Sequence, residues 1–225
     1  MRLHRNLTYA VIDSLRDVFN DGVYADKAVE KALKRDKRWG ARDRKFVAET
    51  IYDIVRWQRL YAEIANVKVP YARPDLWRLF VVWCVLRGIK LPDWNQIEDT
   101  PTRRIKGRFD ELSKIRKYRE SIPDWIDELG VEELGEVIWT KEIAALNKKA
   151  EVILRTNTLN VTKEHLQKDL KAEGIDTEFI AGHDDALRLV ERANVFKTEA
   201  FHKGYFEVQD ASSQLVASYL DVEPG

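Results

Sequence analysis

The 225-residue sequence predicts a mainly α fold, an all-helical domain followed by a small α+β one. Two observations predict it. Apolar residues recur at helical spacing up to about residue 148, and beyond Ala150 the period shortens to alternation. A third, the charge distribution, divides the chain in the same way. Lys27 to Arg59 and Pro101 to Arg119 each carry a net +6, whereas Glu120 to Ala145 carries −7 and 151–225 carries −6. The overall net charge of zero therefore hides a basic amino-terminal half and an acidic carboxy-terminal one, which points to a local anionic partner.

The elements follow in order. Asn6 to Phe19 sets Ala10, Val11, Leu15 and Val18 on one side of a helix, and Ala25 to Leu33 is a short second helix. Asp43 to Ile64 reads as one long helix with Val47, Ile51, Ile54, Val55 and Ile64 as its apolar stripe, and Asp43 is the expected cap. Pro74 to Arg87 is apolar nearly all round, hence central. After the loop "LPDWNQIEDTP" comes a basic helix from Thr102 to Arg119, and "SIPD" at Ser121 ends it. Two acidic helices are expected next, Trp125 to Leu129 and Glu132 to Asn147.

The alternating part reads as strand "EVILRTNTL", a helix capped by Thr162 and carrying Leu166 and Leu170, strands "DTEFIA" and "ALRLVE", a turn or short helix in "NVFKTEAFHKG", a last strand "YFEVQ", and a final helix from Ala211. The order β-α-β-β-(short α)-β is that of ferredoxin-like and RNA-recognition sheets. The domain boundary is placed near Ser121, giving 1–120 and 121–225.

Several function classes are disfavoured. The longest apolar run, Leu79 to Leu86, is too short to span a bilayer, and "MRLHRNLTYA" lacks the pattern of a signal peptide, so a cytoplasmic protein is expected. The single Cys84 and four scattered histidines offer no disulfide framework, metal set or nucleophile pair, so no catalytic or metal residue is expected. No glycine-rich loop follows a strand, and no cofactor site is expected in this chain.

What remains points to RNA. Arg42, Lys45, Glu49, Tyr52, Arg56 and Arg59 share one helical face, either a grip for phosphates with Tyr52 stacking on a base or a solvated face with Lys45 and Glu49 paired. Arg44 and Lys45 lie in the first turn, where the helix dipole disfavours cations; Arg44 either serves that surface or pairs within the domain. In the basic helix, Arg103 and Arg104 begin a set of eight cations against two acids, equally readable as an anion-binding or a merely soluble surface. "KGYFEV" partly matches an RNA-recognition strand: Lys203, Gly204, Tyr205 and Val208 align, but Glu207 stands where a second stacking aromatic belongs.

"VILRTNTLN" and "FEVQDASSQLVASYLDVEPG" closely resemble the segment before the catalytic domain in the Fmu/Sun (RsmB/NOP) family of RNA cytosine-5 methyltransferases. "RDRKFVAETIYDIVRW" is similar to the NusB-type helical domain that some members carry at the amino terminus. The resemblance implies an RNA-positioning, non-catalytic region whose closing Pro224-Gly225 turn leads into a domain that binds S-adenosylmethionine; the partners implied are ribosomal or transfer RNA and the chain's own catalytic domain, with the oligomeric state left open. Arg155 and Asn157 match the family's R-x-N pair, implying RNA contact, and Gln209, Asp210 and Ser213 match the block that packs on the catalytic domain. Asp210 as a cap of the final helix and Arg155 as an ion-pair partner remain open beside those roles. A free-standing NusB-like module of antitermination complexes, or a helical protein-interaction domain, are the alternative readings.

Overall fold

The computed structural model describes residues 3–97, 100–216 and 219. The expected Pro224-Gly225 turn lies outside them. The fold is mainly α, and the chain forms two compact units, Met1–Asn147 and Lys148–Gly225.

The first unit is helical: α1 (Arg5–Phe19), α2 (Ala25–Leu33), α3 (Ala41–Arg56), α4 (Gln58–Ala65), α5 (Arg73–Leu86), α6 (Thr102–Leu112), α7 (Arg116–Arg119) and α8 (Asp124–Leu146). α5 is the central one, with Leu76, Leu79, Phe80, Val82 and Cys84 essentially without solvent contact. Its neighbours α1, α3 and α4 each turn an apolar stripe onto it, in one cluster with Val11, Leu15, Val47, Ile51 and Ile54. Tyr9, Phe80 and Trp94 meet Trp77 edge to face at centroid distances of 5.5–6.4 Å, the favoured quadrupolar geometry.

Four expected helices differ in extent. The single helix over Asp43 to Ile64 is α3 and α4, broken at Trp57. At the break the Arg59 backbone N–H donates to Ser121 Oγ at 3.2 Å, 62 residues away, in place of the helical ladder. Since α3 starts at Ala41, Asp43 sits inside its first turn and Gly40 holds the cap position, with no side-chain capping bond. The basic helix is α6 and α7, interrupted at Ser113–Ile115, where Ser113 Oγ donates back to the Phe109 carbonyl at 2.6 Å and competes with the helical backbone. The two acidic helices both occur within α8, parted by the non-helical backbone of Gly135 (φ 75°, ψ 158°), which only glycine adopts freely, so the break falls at Gly135 and not at 130–131.

The compact units divide after Asn147, whereas the sequence places its boundary near Ser121; the difference is α8, which α7 holds. Arg116, nearly buried, donates to Asp127 at 2.7 Å and to Glu136, and Trp139 Nε1 donates to the same Asp127 at 2.9 Å. Burial pushes the Asp127 carboxyl up, but the bonds from Arg116 and Trp139 outweigh it and hold the group below the usual carboxylate range.

In the second unit, β1 (Ile153–Thr156), α9 (Lys163–Ala172), β2 (Thr177–Phe179), β3 (Ala186–Leu189), α10 (Glu199–His202), β4 (Phe206–Val208) and α11 (Ala211–Val216) follow the expected order. The strands form an antiparallel sheet in the order β2-β3-β1-β4, which places the first and third strands at the centre, the ferredoxin-like arrangement. Leu154, Leu187, Leu189 and Phe206 form its inner face against Leu166 and Leu170 of α9. Thr162 caps α9 as expected, its side chain accepting from the His165 N–H at 3.2 Å.

Candidate nucleic-acid interface

The cations of the helical unit sort into two groups by what they touch. Those between helices are engaged. Arg59, whose side chain is 23% exposed, donates to the Ile122 carbonyl and to Asp124 at 2.6 Å and lies over the Tyr118 ring. Arg108 donates to the Glu63 carbonyl at 2.8 Å, Lys117 pairs with Asp124 at 2.9 Å, and Arg119 with Glu120 at 2.8 Å. Arg44 donates to the Leu33 carbonyl at 2.9 Å, neutralising part of the negative end of α2, so it pairs within the unit.

The second group points outward. Arg42, Lys45, Tyr52 and Arg56 are exposed together along α3. Arg42 and Arg56 have no acidic partner among the described residues, and Arg56 stacks on Trp57 at 5.5 Å. Lys45 faces Glu49 at a loose 3.8 Å, an exposed pair worth a few tenths of a kcal/mol. The break at Trp57 separates Arg59 from this face. On α6, Arg103, Arg104 and Lys106 are exposed and likewise without an acidic partner among the described residues, as is Lys114 beyond its end.

In the second unit the matched residues converge at one end of the sheet. Asn157 is a builder of that end: its side chain donates to the Gly204 carbonyl at 2.9 Å and its backbone N–H to the Tyr205 carbonyl at 2.8 Å. Those bonds hold Lys203 and Tyr205 beside the end of β1, with Lys203 Nζ 5.8 Å from the Tyr205 ring centroid. Arg155 is exposed, stands opposite Glu207 in the β1–β4 register, and donates to Gln209 Oε1 at 3.2 Å. The "LRTN" and "QDASSQL" blocks thus meet through side chains 54 positions apart. Asp210 takes the Ser212 hydroxyl at 2.6 Å just before α11, and Ser213 is exposed on that helix. The strand carrying "KGYFEV" is an edge strand, and Glu207 puts an acid, not a ring, on its exposed side.

Sequence reasoning missed the ring of Trp57 under Arg56 and a loop tip, Leu159, that is 94% exposed between β1 and α9. Cys84, buried in α5, has its thiol pushed far up by desolvation, so it is no thiolate at neutral pH. Among the described residues no three His, Cys, Asp or Glu side chains cluster as a metal site would require, and no helix is long and apolar enough to cross a membrane.

Comparison with known proteins fits this architecture. Residues 122–196 match the family "Methyltr_RsmF/B-like, ferredoxin-like domain". The "Probable ribosomal RNA small subunit methyltransferase B" of Synechocystis sp. is 26% identical over 93% of this chain and 54% of its own length. The "Ribosomal RNA small subunit methyltransferase B" of Vibrio cholerae is 35% identical over 46% of this chain and 24% of its own. The crystal structure of PH0851 shares the fold, at TM-score 0.64 and 19% identity, over all of this chain and 57% of that one. The chain spans about half the length of the first of these relatives, in its amino-terminal part. Residues 122–196 thus match an RsmF/B-like ferredoxin-like domain, and the chain is similar to the amino-terminal part of ribosomal RNA small subunit methyltransferases B.

Proposed function

We propose that this chain is the RNA-binding, substrate-positioning region of an S-adenosylmethionine-dependent ribosomal RNA cytosine-C5 methyltransferase of the cytoplasm, with the helical unit a NusB-like module. The observation that carries the reading is the sorting of cations. Every arginine and lysine named above that lies between helices bonds an acid or a carbonyl, whereas Arg42, Arg56, Arg103, Arg104 and Lys106 stand on two outward faces with no acidic partner among the described residues. Such cations condense onto phosphates and release counterions, which supplies sequence-independent affinity. Tyr52, exposed among them, offers a ring to an unpaired base.

The second unit then plays the orienting part. Arg155 is free to reach a phosphate beyond Gln209, while Asn157 fixes the corner from which Lys203 and Tyr205 project. Gln209, Asp210 and Ser213 open the helix that would lie against a catalytic domain of the kind the relatives carry. The residues present do not fit the methyl donor: the strand-to-helix passages from β1 to α9 and from β4 to α11 contain no glycine, so neither brings backbone close to an adenosyl group. Methyl transfer would be the work of that further domain.

The test is direct. The purified chain, given S-adenosylmethionine and a small-subunit ribosomal RNA fragment, should bind the RNA with salt-dependent affinity and transfer no methyl group. Absence of binding at low salt would sink the proposal.

A further inference from the structure

One concavity of the helical unit shares only Arg104 with the surfaces assigned so far. It is a cavity of about 520 Å³ between the end of α4, the middle of α5 and the start of α6. That volume lies within the roughly 300–1,000 Å³ of ordinary small-molecule sites. Its floor is apolar and buried, with Ile64, Val82 and Ile105 among the contributors. Its rim carries three side chains with no hydrogen-bond or ion-pair partner among the described residues: Asn66, Asn95 and Arg104. Two carboxamides and a guanidinium over an apolar floor are complementary to a nucleotide. Amides pair with the edge of a base, the apolar floor takes its faces, and the guanidinium takes the phosphate.

A second observation points the same way. α6 starts at this rim, and its first turn holds Arg103 and Arg104 with no acidic residue. Cations at the positive end of a helix are disfavoured by the dipole, and an anion seated there would relieve both.

We propose that this cavity receives one unpaired nucleotide of the bound RNA, its base over Ile64, Val82 and Ile105, its edge read by Asn66 and Asn95, and its phosphate held by Arg104 at the start of α6. The inference rests on the RNA-binding reading above and adds to it a base-reading subsite that the exposed α3 face cannot supply. Backbone crossing the cationic start of α6 would let one base drop into the cavity, giving the helical unit a sequence preference as well as charge.

The experiment is a titration of methyl-labelled chain with each of the four ribonucleoside monophosphates and with inorganic phosphate, followed by NMR. A monophosphate should move the Ile64, Val82 and Ile105 methyl signals. Arg104→Gln should weaken that binding about tenfold, the loss of one charge-assisted phosphate contact. Asn95→Ala should flatten the preference among the four bases. Both residues are exposed, so both variants should keep the wild-type unfolding midpoint. The proposal is overturned if those methyl signals stay still at millimolar nucleotide, if inorganic phosphate moves them with equal affinity, or if Arg104→Gln binds as wild type. RNA that still binds with a salt slope dependent on Arg42 and Arg56 would then confine the failure to the cavity, whereas loss of all RNA binding would remove the reading beneath it.

Discussion

Replacing Arg42 and Arg56 by glutamine removes two charges from α3 without disturbing any ion pair, because neither has an acidic partner among the described residues. The residues are 14 positions apart on one helix, roughly 21 Å along its axis at 1.5 Å per residue, so they reach different phosphates. For single-stranded RNA each lost contact lowers the slope of log K against log salt by about 0.7, and two lower it by about 1.4. Extrapolated from 1 M salt, where the lines converge, that amounts to about 25-fold weaker binding at 0.1 M. Fluorescence anisotropy of a labelled ribosomal RNA fragment, titrated at several salt concentrations, reads both slope and affinity. Arg59→Gln is the internal contrast: it loses bonds to Ile122 and Asp124, so it should lower the unfolding midpoint and leave the slope alone. An unchanged slope in the double variant, or an equal change from Arg59→Gln, would refute the division of cations into structural and RNA-facing sets.

Other expectations concern stability. At Gly130 an added Cβ would lie 2.2 Å from the Trp139 ring, and that ring is buried and tied to Asp127. Gly130→Ala should therefore destabilise by about 2 kcal/mol in urea unfolding, against the roughly 1 kcal/mol that helix propensity alone would add in its favour. Asp127, Asp13 and Asp17 all have carboxyls held below the usual range by arginine or lysine partners, despite burial that pushes them up. A lowered folded-state value means stability that is complete above an unfolded pKa of about 3.9 and is lost as pH falls through the folded value. Stability should thus be flat from about pH 5 to 7 and fall below about pH 4, and Asp127→Asn should shrink that acid limb. Asn157→Ala should cost about 1 kcal/mol by freeing the Gly204 carbonyl, while Arg155→Ala should leave unfolding unchanged.

Much of this was legible in the sequence, and what was not has a physical cause. Spacing located α1, α2 and α5 because each buries a stripe or a whole surface, and alternation located all four strands. The break at Trp57 was invisible because its replacement bond comes from Ser121, far along the chain. The kink in α8 did leave a signal, a glycine inside an acidic helical pattern at Gly135. Helical spacing also put Arg59 on the same face as Arg56, and only the break, with Asp124 waiting beyond it, takes Arg59 out of that set. The cavity rim was beyond reach, since Asn66, Asn95 and Arg104 belong to three separate segments that only packing on α5 assembles.

The sheet shows why a motif match and a role are different things. The R-x-N pair reads as one unit, and alternation would set both side chains on one face, yet the end of β1 at Thr156 gives its members different tasks. Arg155 stays on the exposed side of β1 and meets Gln209, whereas Asn157, just past the strand, spends its amide on the Gly204 carbonyl and its backbone N–H on Tyr205. One is available to a ligand; the other decides where Lys203 and Tyr205 stand. Substituting Asn157 should therefore disturb RNA contact only through those two residues, and the Lys203→Gln, Tyr205→Ala variant should reproduce its binding defect, with a stability cost of its own because the Tyr205 ring packs against the core of the unit. A binding defect of Asn157→Ala that exceeds that of the double variant would instead place the Asn157 side chain on the RNA itself.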